Sequence, residues 1–236
     1  MTREDFKVYE DVFDKNTILS LAILKKNYFN ELRGCIESGK EANIFIAKSK
    51  NPIIEDIIIK IYRIETSNFF NMYDYLKGDP RYGYVSKSRR QVISAWTKKE
   101  FSNLRRASKA GLNVPKPLIF KDNILIMEMI GEKGIPSPIA KNKIPENKKE
   151  WYKKTIFFME KLYQKADLVH ADLSEFNILN KNEEPYFIDM SQSVLSNHPN
   201  SEKFLQRDIK NINKWFLNLG VKVLDENELI KKICRK

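Results

Sequence analysis

The stretch His170-Ala-Asp-Leu-Ser-Glu-Phe-Asn177, with Ile188-Asp189 further along, carries the most informative pattern in this sequence. Asp172 precedes Asn177 by five residues, a spacing that puts a carboxylate and an amide oxygen on opposite sides of one short loop. A charged run that ends in a proline lies between Asn177 and Asp189 and predicts a turn. The two residues are therefore expected side by side across a hairpin. Together the three side chains offer the oxygen ligands that Mg²⁺ prefers.

The same spacing, an Asp followed five residues later by an Asn, occurs in the catalytic loop of protein kinases. In that pattern Asp172 would accept the proton of an incoming hydroxyl group, while Asn177 and Asp189 would hold Mg²⁺. The simpler alternative is a polar loop that Asp172 caps as an Asx turn. The Asn and the later Ile-Asp, both in register, favour the catalytic interpretation. His170 is interpreted as a structural residue that supports the loop.

A second pattern is a pair of charged residues in apolar surroundings. Glu100 lies on the apolar stripe of a helix predicted over residues 91–110, and Lys60 lies inside an aliphatic strand predicted over residues 57–62. Because a buried charge without a partner costs several kcal/mol, the two side chains are expected to pair. In kinases a strand lysine held by a helix glutamate contacts the phosphates of ATP. The alternative is that Glu100 reaches solvent and Lys60 lies on a sheet edge.

The tripeptide Ser38-Gly39-Lys40 lies between two predicted strands. It could cover phosphate groups with backbone N–H groups and a hydroxyl. Such turns are common, so the tripeptide alone decides little. Neither the kinase pattern G-x-G-x-x-G nor a Walker A motif occurs in the chain.

Composition indicates a folded chain, since its 236 residues are 42% hydrophobic and 31% charged. No apolar run approaches the ~20 residues that span a bilayer, so no membrane association is expected. The charged N-terminus does not resemble a secretion signal, and Cys35 and Cys234 support neither a disulfide framework nor a zinc site. The expected location is cytoplasmic. The net charge of +11 favours a polyanionic partner such as RNA, although a genome rich in Lys, Ile and Asn codons would give the same excess.

The predicted elements are strand-rich in the first half and helical in the second, which indicates an α+β fold with a cleft between two lobes. We assign residues 1–130 to an N-terminal lobe, 131–147 to a Gly- and Pro-containing hinge, and 148–236 to a C-terminal catalytic lobe. Residues 63–90 lack a sustained period and are predicted as a mobile loop. Helices are predicted over residues 16–32, 91–110, 148–166, 201–219 and 226–233. Strands are predicted on both sides of the turn at 38–40, over 57–62, 118–121 and 124–130, and near 169, 178 and 187.

Four motifs in order resemble the RIO kinases, in the branch without an N-terminal winged helix. The nucleotide loop of that branch resembles Ser38-Gly-Lys-Glu-Ala-Asn43. The catalytic stretch, the metal stretch Ile188-Asp-Met-Ser-Gln-Ser193 and the late helical stretch Phe204-Leu-Gln-Arg-Asp-Ile-Lys-Asn211 fit the same branch. The matches extend from about residue 16 to about residue 215. The resemblance implies an atypical serine/threonine protein kinase with a two-lobed, protein-kinase-like fold. Its C-lobe would be truncated and lack an activation loop, because Met-Ser-Gln follows Asp189 where ordinary kinases have Phe-Gly.

The resemblance assigns the nucleotide to residues in the first half of the chain, which are Ser38, Lys40, Lys60, Glu100, Met127, Glu128 and Ile130. Of these, the first two would lie over the phosphates of ATP, and Lys60, held by Glu100, would contact them. Met127 would lie at the back of the adenine pocket. The backbone of Glu128 and Ile130 would hold the base.

In the second half of the chain, the resemblance makes Asp172 the catalytic aspartate. It also implies that Asn177 and Asp189 bind Mg²⁺, with Mn²⁺ as an alternative. In some family members the metal aspartate is itself phosphorylated during ATP hydrolysis, so Asp189 also counts as catalytic, and ATPase cycling is an alternative to substrate phosphorylation. Residues 63–90 resemble the family's mobile loop, in which autophosphorylated serines occur. The candidates are Ser67, Ser86 and Ser88.

The family is associated with maturation of the small ribosomal subunit, so the expected partner is a pre-ribosomal small subunit with its rRNA. The oligomeric state stays open. One alternative is a small-molecule phosphotransferase of the aminoglycoside or choline kinase type, and another is a small archaeal kinase associated with tRNA modification. The Ser-Glu before Phe176 and the Ser-Gln after Met190 count against both. A third alternative is an RNA-binding assembly factor that uses nucleotide only as a switch, with the basic, aromatic residues 69–90 stacking on bases.

Overall fold

The computed structural model describes residues 13–83 and 88–235. Contacts divide the chain into two compact units, each made of three segments. Unit 1 consists of Met1–Leu76, Tyr84–Phe101 and Pro117–Met129, and unit 2 consists of Lys77–Gly83, Ser102–Lys116 and Ile130–Lys236.

Unit 1 is built on one antiparallel sheet of five strands in the order β1-β2-β3-β5-β4. The strands are β1 (Phe29–Ser38), β2 (Ala42–Ser49), β3 (Asp56–Tyr62), β4 (Pro117–Lys121) and β5 (Ile124–Glu128). Three helices accompany them along the chain, α1 (Lys15–Tyr28), α2 (Phe69–Lys77) and α3 (Arg89–Lys109), of which α2 and α3 continue into unit 2.

The first helix begins where the sequence predicts and ends earlier. Asp14 caps it, since its carboxylate accepts hydrogen bonds from the backbone N–H groups of Asn16 and Thr17. The prediction of helix through residue 32 is wrong, because β1 begins at Phe29. The Phe29 side chain is buried in the same apolar cluster as the sheet, and pairing with β2 takes over from helical spacing at this point.

Strand β3 presents aliphatic side chains on one face of the sheet and polar side chains on the other. Ile57, Ile59 and Ile61 are fully buried in the apolar cluster that includes residues of α1, β2 and β5. Because side chains alternate along a strand, Lys60 and Tyr62 point to the opposite face. The register of β3 therefore decides which side chains can meet α3.

The structure corrects the prediction of an unstructured loop over residues 63–90. Residues Phe69–Lys77 form α2, with Met72 and Leu76 buried. The aromatic residues that obscured the helical period in the sequence contact one another, as in the stacked rings of Phe69 and Tyr73. Residues 84–87, and with them the candidate Ser86, lie outside the described residues.

Unit 2 combines three later helices with short two-stranded pairings. The helices are α4 (Lys148–Ala166), α5 (Ser201–Asn218) and α6 (Glu226–Cys234). The strands are β6 (Gly131–Glu132), β7 (Ile135–Pro136), β8 (Leu168–Val169), β9 (Ile178–Lys181), β10 (Glu184–Phe187) and β11 (Val194–Leu195). After Asp189 the chain passes through β11 directly into α5, so the C-terminal unit has no extended activation segment between residues 189 and 201.

The contact-based units differ in detail from the predicted lobes. Residues 102–116 were assigned to the N-terminal lobe but belong to unit 2, since Asn103 and Asn113 bond to backbone groups there. The predicted hinge, residues 131–147, also packs within unit 2. In that stretch Ala140 donates a backbone hydrogen bond to Ile178. Its role as a hinge stays a prediction.

In the part of the chain that the structure describes, no helix combines the length and the apolar character needed to cross a membrane.

Candidate active site

In unit 2 the structure brings together the three residues that the sequence singles out. The Asn177 amide nitrogen donates to the backbone oxygen of Asp172 at 2.8 Å and lies 3.4 Å from its Oδ2. The backbone N–H of Ile188 donates to the Asn177 carbonyl at 3.0 Å, so Asp189 follows directly beside Asn177. Because the Asn177 nitrogen faces Asp172, its side-chain oxygen is the atom suited to a cation.

The hairpin of β9 and β10 produces this juxtaposition. Ile178 pairs with Phe187, and the strands are joined by a tight turn in which Asn182 and Glu183 both have positive φ, 50° and 64°. Such a two-residue turn matches the twist of an antiparallel pair. The residues just outside the hairpin, Asn177 and Ile188, therefore meet, as the sequence predicts.

Asp189 opens a loop, residues 189–193, that we call the metal loop after the role predicted for Asp189 from the sequence. Its φ of 57° is unusual for a residue with a side chain, and such backbone strain is concentrated at functional sites. The Ser191 hydroxyl donates to Asp189 Oδ1 at 2.7 Å. From the end of the same loop, the Gln192 amide donates to Asp172 Oδ2 at 3.0 Å. The loop thus contacts both aspartates.

The donor set fits a hard cation that is also bound by phosphates. Among the described residues, no group of three or more His, Cys, Asp or Glu side chains forms a metal cluster. The carboxylates of Asp172 and Asp189 and the amide oxygen of Asn177 lie on the two loops that flank the hairpin. Mg²⁺ is commonly held by one or two carboxylates together with substrate phosphates and water. These residues therefore fit a Mg²⁺ ion that phosphates also bind, and they do not fit a structural metal site whose ligands all come from the protein.

A buried carboxylate from α5 holds the catalytic loop in shape. Asp208 accepts hydrogen bonds from the backbone N–H groups of Ala171 at 2.8 Å and Leu173 at 2.9 Å. Ala171 has a φ of 66°, a conformation that costs about 1 kcal/mol for a residue with a Cβ. Burial raises the Asp208 pKa to about 7, against the lowering effect of the two backbone N–H groups. Arg207 contacts the Ala171 carbonyl, so two neighbouring residues of α5 fix Ala171.

His170 supports the loop in the structural role that the sequence predicts. Its Nε2 lies 3.1 Å from the Ile188 carbonyl, which requires the proton on Nε2. Nδ1 is buried without a hydrogen-bond partner. Burial lowers the His170 pKa to about 4, although the nearby Asp189 charge acts in the opposite direction. A neutral imidazole that is fixed in this position can support the loop but is poorly suited to transfer protons.

In unit 1 the expected ion pair is present. Lys60 Nζ lies 2.8 Å from Glu100 Oε1, and the two side chains are only 7% and 1% exposed. The Tyr62 hydroxyl, two residues along β3, contacts the other carboxylate oxygen of Glu100. The carboxylate is therefore held from one strand by a cation and a hydroxyl, and this arrangement fixes the lysine on the face of the sheet next to α3.

The turn after β1 is held by side chains that the sequence did not single out. The Ser38 hydroxyl donates to Asn43 Oδ1 at 3.1 Å and accepts from Arg63 Nη2 at 2.8 Å. The Gly39 N–H closes the turn on the Ala42 carbonyl at 3.0 Å. Ser38 and Lys40 are exposed, as a loop over phosphates requires. The roles assigned to Ser38 and Lys40 stay predictions.

Of the three residues assigned to the adenine base, Met127 and Glu128 end β5 and Ile130 lies two residues beyond it. Met127 pairs with Ile58 and is buried, and Glu128 pairs with Ile57. Ile130, which belongs to unit 2, is also buried. Its carbonyl already accepts a hydrogen bond from the Ser137 N–H at 2.9 Å. Backbone contacts from this segment to a base therefore stay a prediction.

Several supporting residues received no role of their own from the sequence. Asn43, Gln192 and Asp208 lie inside the quoted family motifs, whereas Tyr62, Arg63 and Asn103 lie outside them. One of them had a recognisable pattern. Asp208 lies between Leu205 and Ile209 on the buried face of α5, as Glu100 lies on the apolar stripe of α3. A carboxylate at such a position needs a partner. Tyr62, Arg63, Asn103 and Gln192 form contacts across 20 or more positions, which leave no local pattern.

A strand lysine paired with a helix glutamate, an Asp followed five residues later by an Asn, and a further aspartate after the next hairpin are the features typical of the kinase-like phosphotransferases. The fold agrees with this class. A solved structure of the Rio2 kinase from Chaetomium thermophilum, in complex with ADP, Mg²⁺ and phosphoaspartate, superposes with a TM-score of 0.68 over 92% of this chain and 66% of that chain, at 20% identity. The streptomycin–ATP–APH(2")-IIa ternary complex gives a TM-score of 0.51 over 94% of this chain and 88% of that chain, at 13% identity. Both likenesses concern the fold.

Sequence comparison places the chain more narrowly. Residues 43–229 match the family model described as the RIO domain. The RIO-type serine/threonine-protein kinase Rio1 of Methanocaldococcus jannaschii is 43% identical over 90% of this chain and 72% of its own length. The Rio1 kinase of Haloferax volcanii is 38% identical over 92% of this chain and 74% of its own length. Human RIO1 is 37% identical over 97% of this chain and 41% of its own length. The chain belongs to the RIO kinase family.

Proposed function

We propose that this RIO-type kinase transfers the terminal phosphoryl group of ATP, with Mg²⁺, to serine hydroxyls, including its own, and acts in the maturation of the small ribosomal subunit. The observation that carries the catalytic part is the contact of Asn177 with Asp172 beside the strained Asp189. Kinase relatives at 37–43% identity support the reaction class. A cytoplasmic location is part of the proposal.

Asp172 is the residue that accepts the proton of the acceptor hydroxyl. Its Oδ2 is oriented by the Gln192 amide at 3.0 Å, and its backbone is fixed through Asn177 and through Asp208 on either side. Asp189 and Asn177 would hold Mg²⁺, which when bound neutralises the charge on the phosphates. Because transfer of this kind depends mainly on positioning and electrostatics, the fixed loop is the chief contribution of the chain.

Lys60 contacts the phosphates in this proposal, held in place by Glu100 and Tyr62. The exposed turn at Ser38 and Lys40 covers them, and Arg63 fixes that turn through the Ser38 hydroxyl. Met127 lies against the base. Since the Ile130 carbonyl is already engaged by Ser137, the base contact at Ile130 falls to its N–H group.

The catalytic proposal predicts the outcome of two substitutions. Asp172→Ala and Asp189→Ala should each reduce Mg²⁺-dependent autophosphorylation with labelled ATP by at least about a hundredfold, while circular dichroism and the unfolding midpoint stay close to wild type. Asp225→Ala, which removes only the cap of α6, is the matched control and should keep full activity. Wild-type labelling in both site variants would refute the assignment.

Autophosphorylation has two described serine candidates, and burial separates them. Ser67 is 4% exposed and its hydroxyl donates to the Glu41 carbonyl at 3.0 Å, so it is interpreted as structural. Ser88 is exposed just before α3. We expect labelled phosphate on Ser88, or on Ser86 outside the described residues, and none on Ser67. Peptide mapping by mass spectrometry, with Ser88→Ala and Ser67→Ala as paired variants, tests this; label on Ser67 would contradict it.

The ribosomal part rests on the family association and on the net charge of +11. A polyanionic partner would bind with an affinity that falls steeply with salt. Co-sedimentation of the protein with immature small subunits at increasing salt, compared with mature subunits, tests the partner. Equal, weak binding to both would exclude a specific role there.

A further inference from the structure

A short segment of unit 2, Lys77–Gly83, reaches the metal loop through one buried side chain. We call Lys77–Gly83 the docking segment. Asn103, on α3, has no exposed surface. Its amide nitrogen donates to the carbonyl oxygens of Met190 and Ser193, both at 2.8 Å, and its own oxygen accepts from Arg81 Nη1 at 2.8 Å. These contacts use both N–H donors and the oxygen of the amide, so they fix its orientation.

Arg81 is itself held rigidly within the docking segment. Its Nε lies 2.9 Å and its Nη2 2.6 Å from the carboxylate of Asp79, which is only 2% exposed. The Arg81 backbone N–H also donates to Asp79 Oδ1 at 3.0 Å. A guanidinium paired in this bidentate way has little freedom, so Nη1 presents a fixed donor to Asn103.

A second anchor of the docking segment depends on the absence of a side chain. A Cβ at Gly78 would lie 2.3 Å from Nε2 of His198. The backbone of the segment therefore packs directly against the imidazole ring, which is buried and stacks on Phe204. The segment is fixed at Gly78 and at Arg81, on two different parts of unit 2.

The two carbonyls that Asn103 holds belong to the turn that carries Asp189. Met190 follows Asp189 directly, and the Ser193 N–H donates to the Met190 carbonyl, closing the turn. With a φ of 57°, Asp189 adopts a conformation that the surrounding contacts must maintain. A shift of either carbonyl would move the Asp189 carboxylate.

We propose that Arg81 and Asn103 are positioning residues for Asp189, and that the docking segment thereby sets the affinity of the metal loop for its divalent cation. Neither residue touches the cation; both act through the Met190 and Ser193 carbonyls. The inference rests on the proposed function in one respect, that Asp189 holds the cation. It adds that docking of residues 77–83 and cation binding are linked, so that loss of one weakens the other.

Two variants interrupt the contacts at different points. Arg81→Ala removes the donor to Asn103 and leaves the two amide donors in place. Asn103→Asp keeps an oxygen for Arg81 but places a carboxylate against two carbonyl oxygens. The matched control is Arg33→Ala, which breaks an arginine–aspartate pair in unit 1, with Asp56, and lies outside the metal loop.

The first measurement needs no nucleotide and no metal. Amide hydrogen exchange of a peptide covering residues 189–193 should be about tenfold faster in Arg81→Ala than in wild type, and unchanged in Arg33→Ala. The second measurement is the binding of Mn²⁺ in the presence of ADP, followed by electron paramagnetic resonance. In Arg81→Ala the Mn²⁺ affinity should fall about tenfold, as for other residues that orient metal ligands. The affinity for ADP without metal should stay at the wild-type value.

The two measurements separate the failure of this inference from the failure of the proposed function. Wild-type exchange in Arg81→Ala overturns the inference, and so does faster exchange with unchanged Mn²⁺ affinity. If wild-type protein with ADP binds no Mn²⁺, the assignment of Asp189 as a metal residue fails, and the exchange rates alone then decide whether the docking segment fixes the loop. Should Asn103→Asp not fold, Arg81→Ala carries the test.

Discussion

Replacing Glu100 by Gln tests the buried pair of unit 1 with little change of shape. The amide oxygen can still accept from Tyr62, but the Lys60 ammonium, in a side chain only 7% exposed, loses its counter-charge. Removing one partner of a buried ion pair costs about 3–5 kcal/mol, because the remaining charge stays desolvated. We expect Glu100→Gln to lower the free energy of unfolding by an amount in that range, measured by urea denaturation.

The second step of this experiment removes the charge as well. In the double variant Lys60→Met with Glu100→Gln, an apolar side chain of similar length replaces the lysine, and most of the lost stability should return. ATP turnover should not return, since the buried cation that the proposal places on the phosphates is then missing. Stability and activity are thereby separated within one pair of residues.

Three results would refute this reasoning. A loss below about 1 kcal/mol in Glu100→Gln would mean that the pair behaves as an exposed one. If the double variant does not regain stability, the loss in Glu100→Gln comes from altered packing and not from the unpaired charge. Full ATP turnover in the double variant would remove Lys60 from the nucleotide site.

Two further predictions concern single residues. Because burial lowers the His170 pKa from 6.5 to about 4, His170 by itself should take away about 3 kcal/mol of stability as the pH falls from 6.5 to 4 in protein free of metal and nucleotide, while Asp208, whose pKa burial raises to about 7, acts in the opposite direction. The difference in unfolding free energy between wild type and His170→Gln, which cannot titrate, isolates the His170 part and should fall by about that amount over this pH range in urea denaturation; a constant difference would contradict the assignment. Gly111 ends α3 with a φ of +73°, so Gly111→Ala should cost about 1 kcal/mol in the unfolding free energy. Gly83→Ala should be close to neutral, because no atom of the described residues lies within 4 Å of the new Cβ and φ is not in the left-handed region; equal effects of the two would argue against backbone strain at Gly111.

The parts of the site that the sequence predicted are those with local or chemically conspicuous patterns. Asp172 and Asn177 precede one hairpin and Asp189 follows it, so their spacing along the chain already implies their proximity. Lys60 and Glu100 are distant in sequence, but each is a charge in an apolar element, and burial makes their pairing the economical solution.

The features that the sequence did not predict are of two kinds. In some, two secondary structures compete for the same residues; in others, the contacting residues are far apart in the sequence. Residues 29–32 keep the helical spacing of α1, and only pairing with β2 turns them into a strand. The aromatic run in α2 masks its period. Asn103 bonds to carbonyls 87 and 90 positions away, and a backbone carbonyl offers no side-chain pattern from which to infer the contact.

Because side chains alternate along β3, its residues form two sets, one on each face of the sheet, and the two sets tolerate substitution to different degrees. Ile57, Ile59 and Ile61 belong to a set in which one aliphatic residue can replace another at small cost. A single deletion within the strand would exchange the two sets, sending an ammonium group into the aliphatic interior and an isoleucine toward Glu100. Alignment gaps in related chains should therefore be frequent in the connection at residues 50–55 and rare inside this strand.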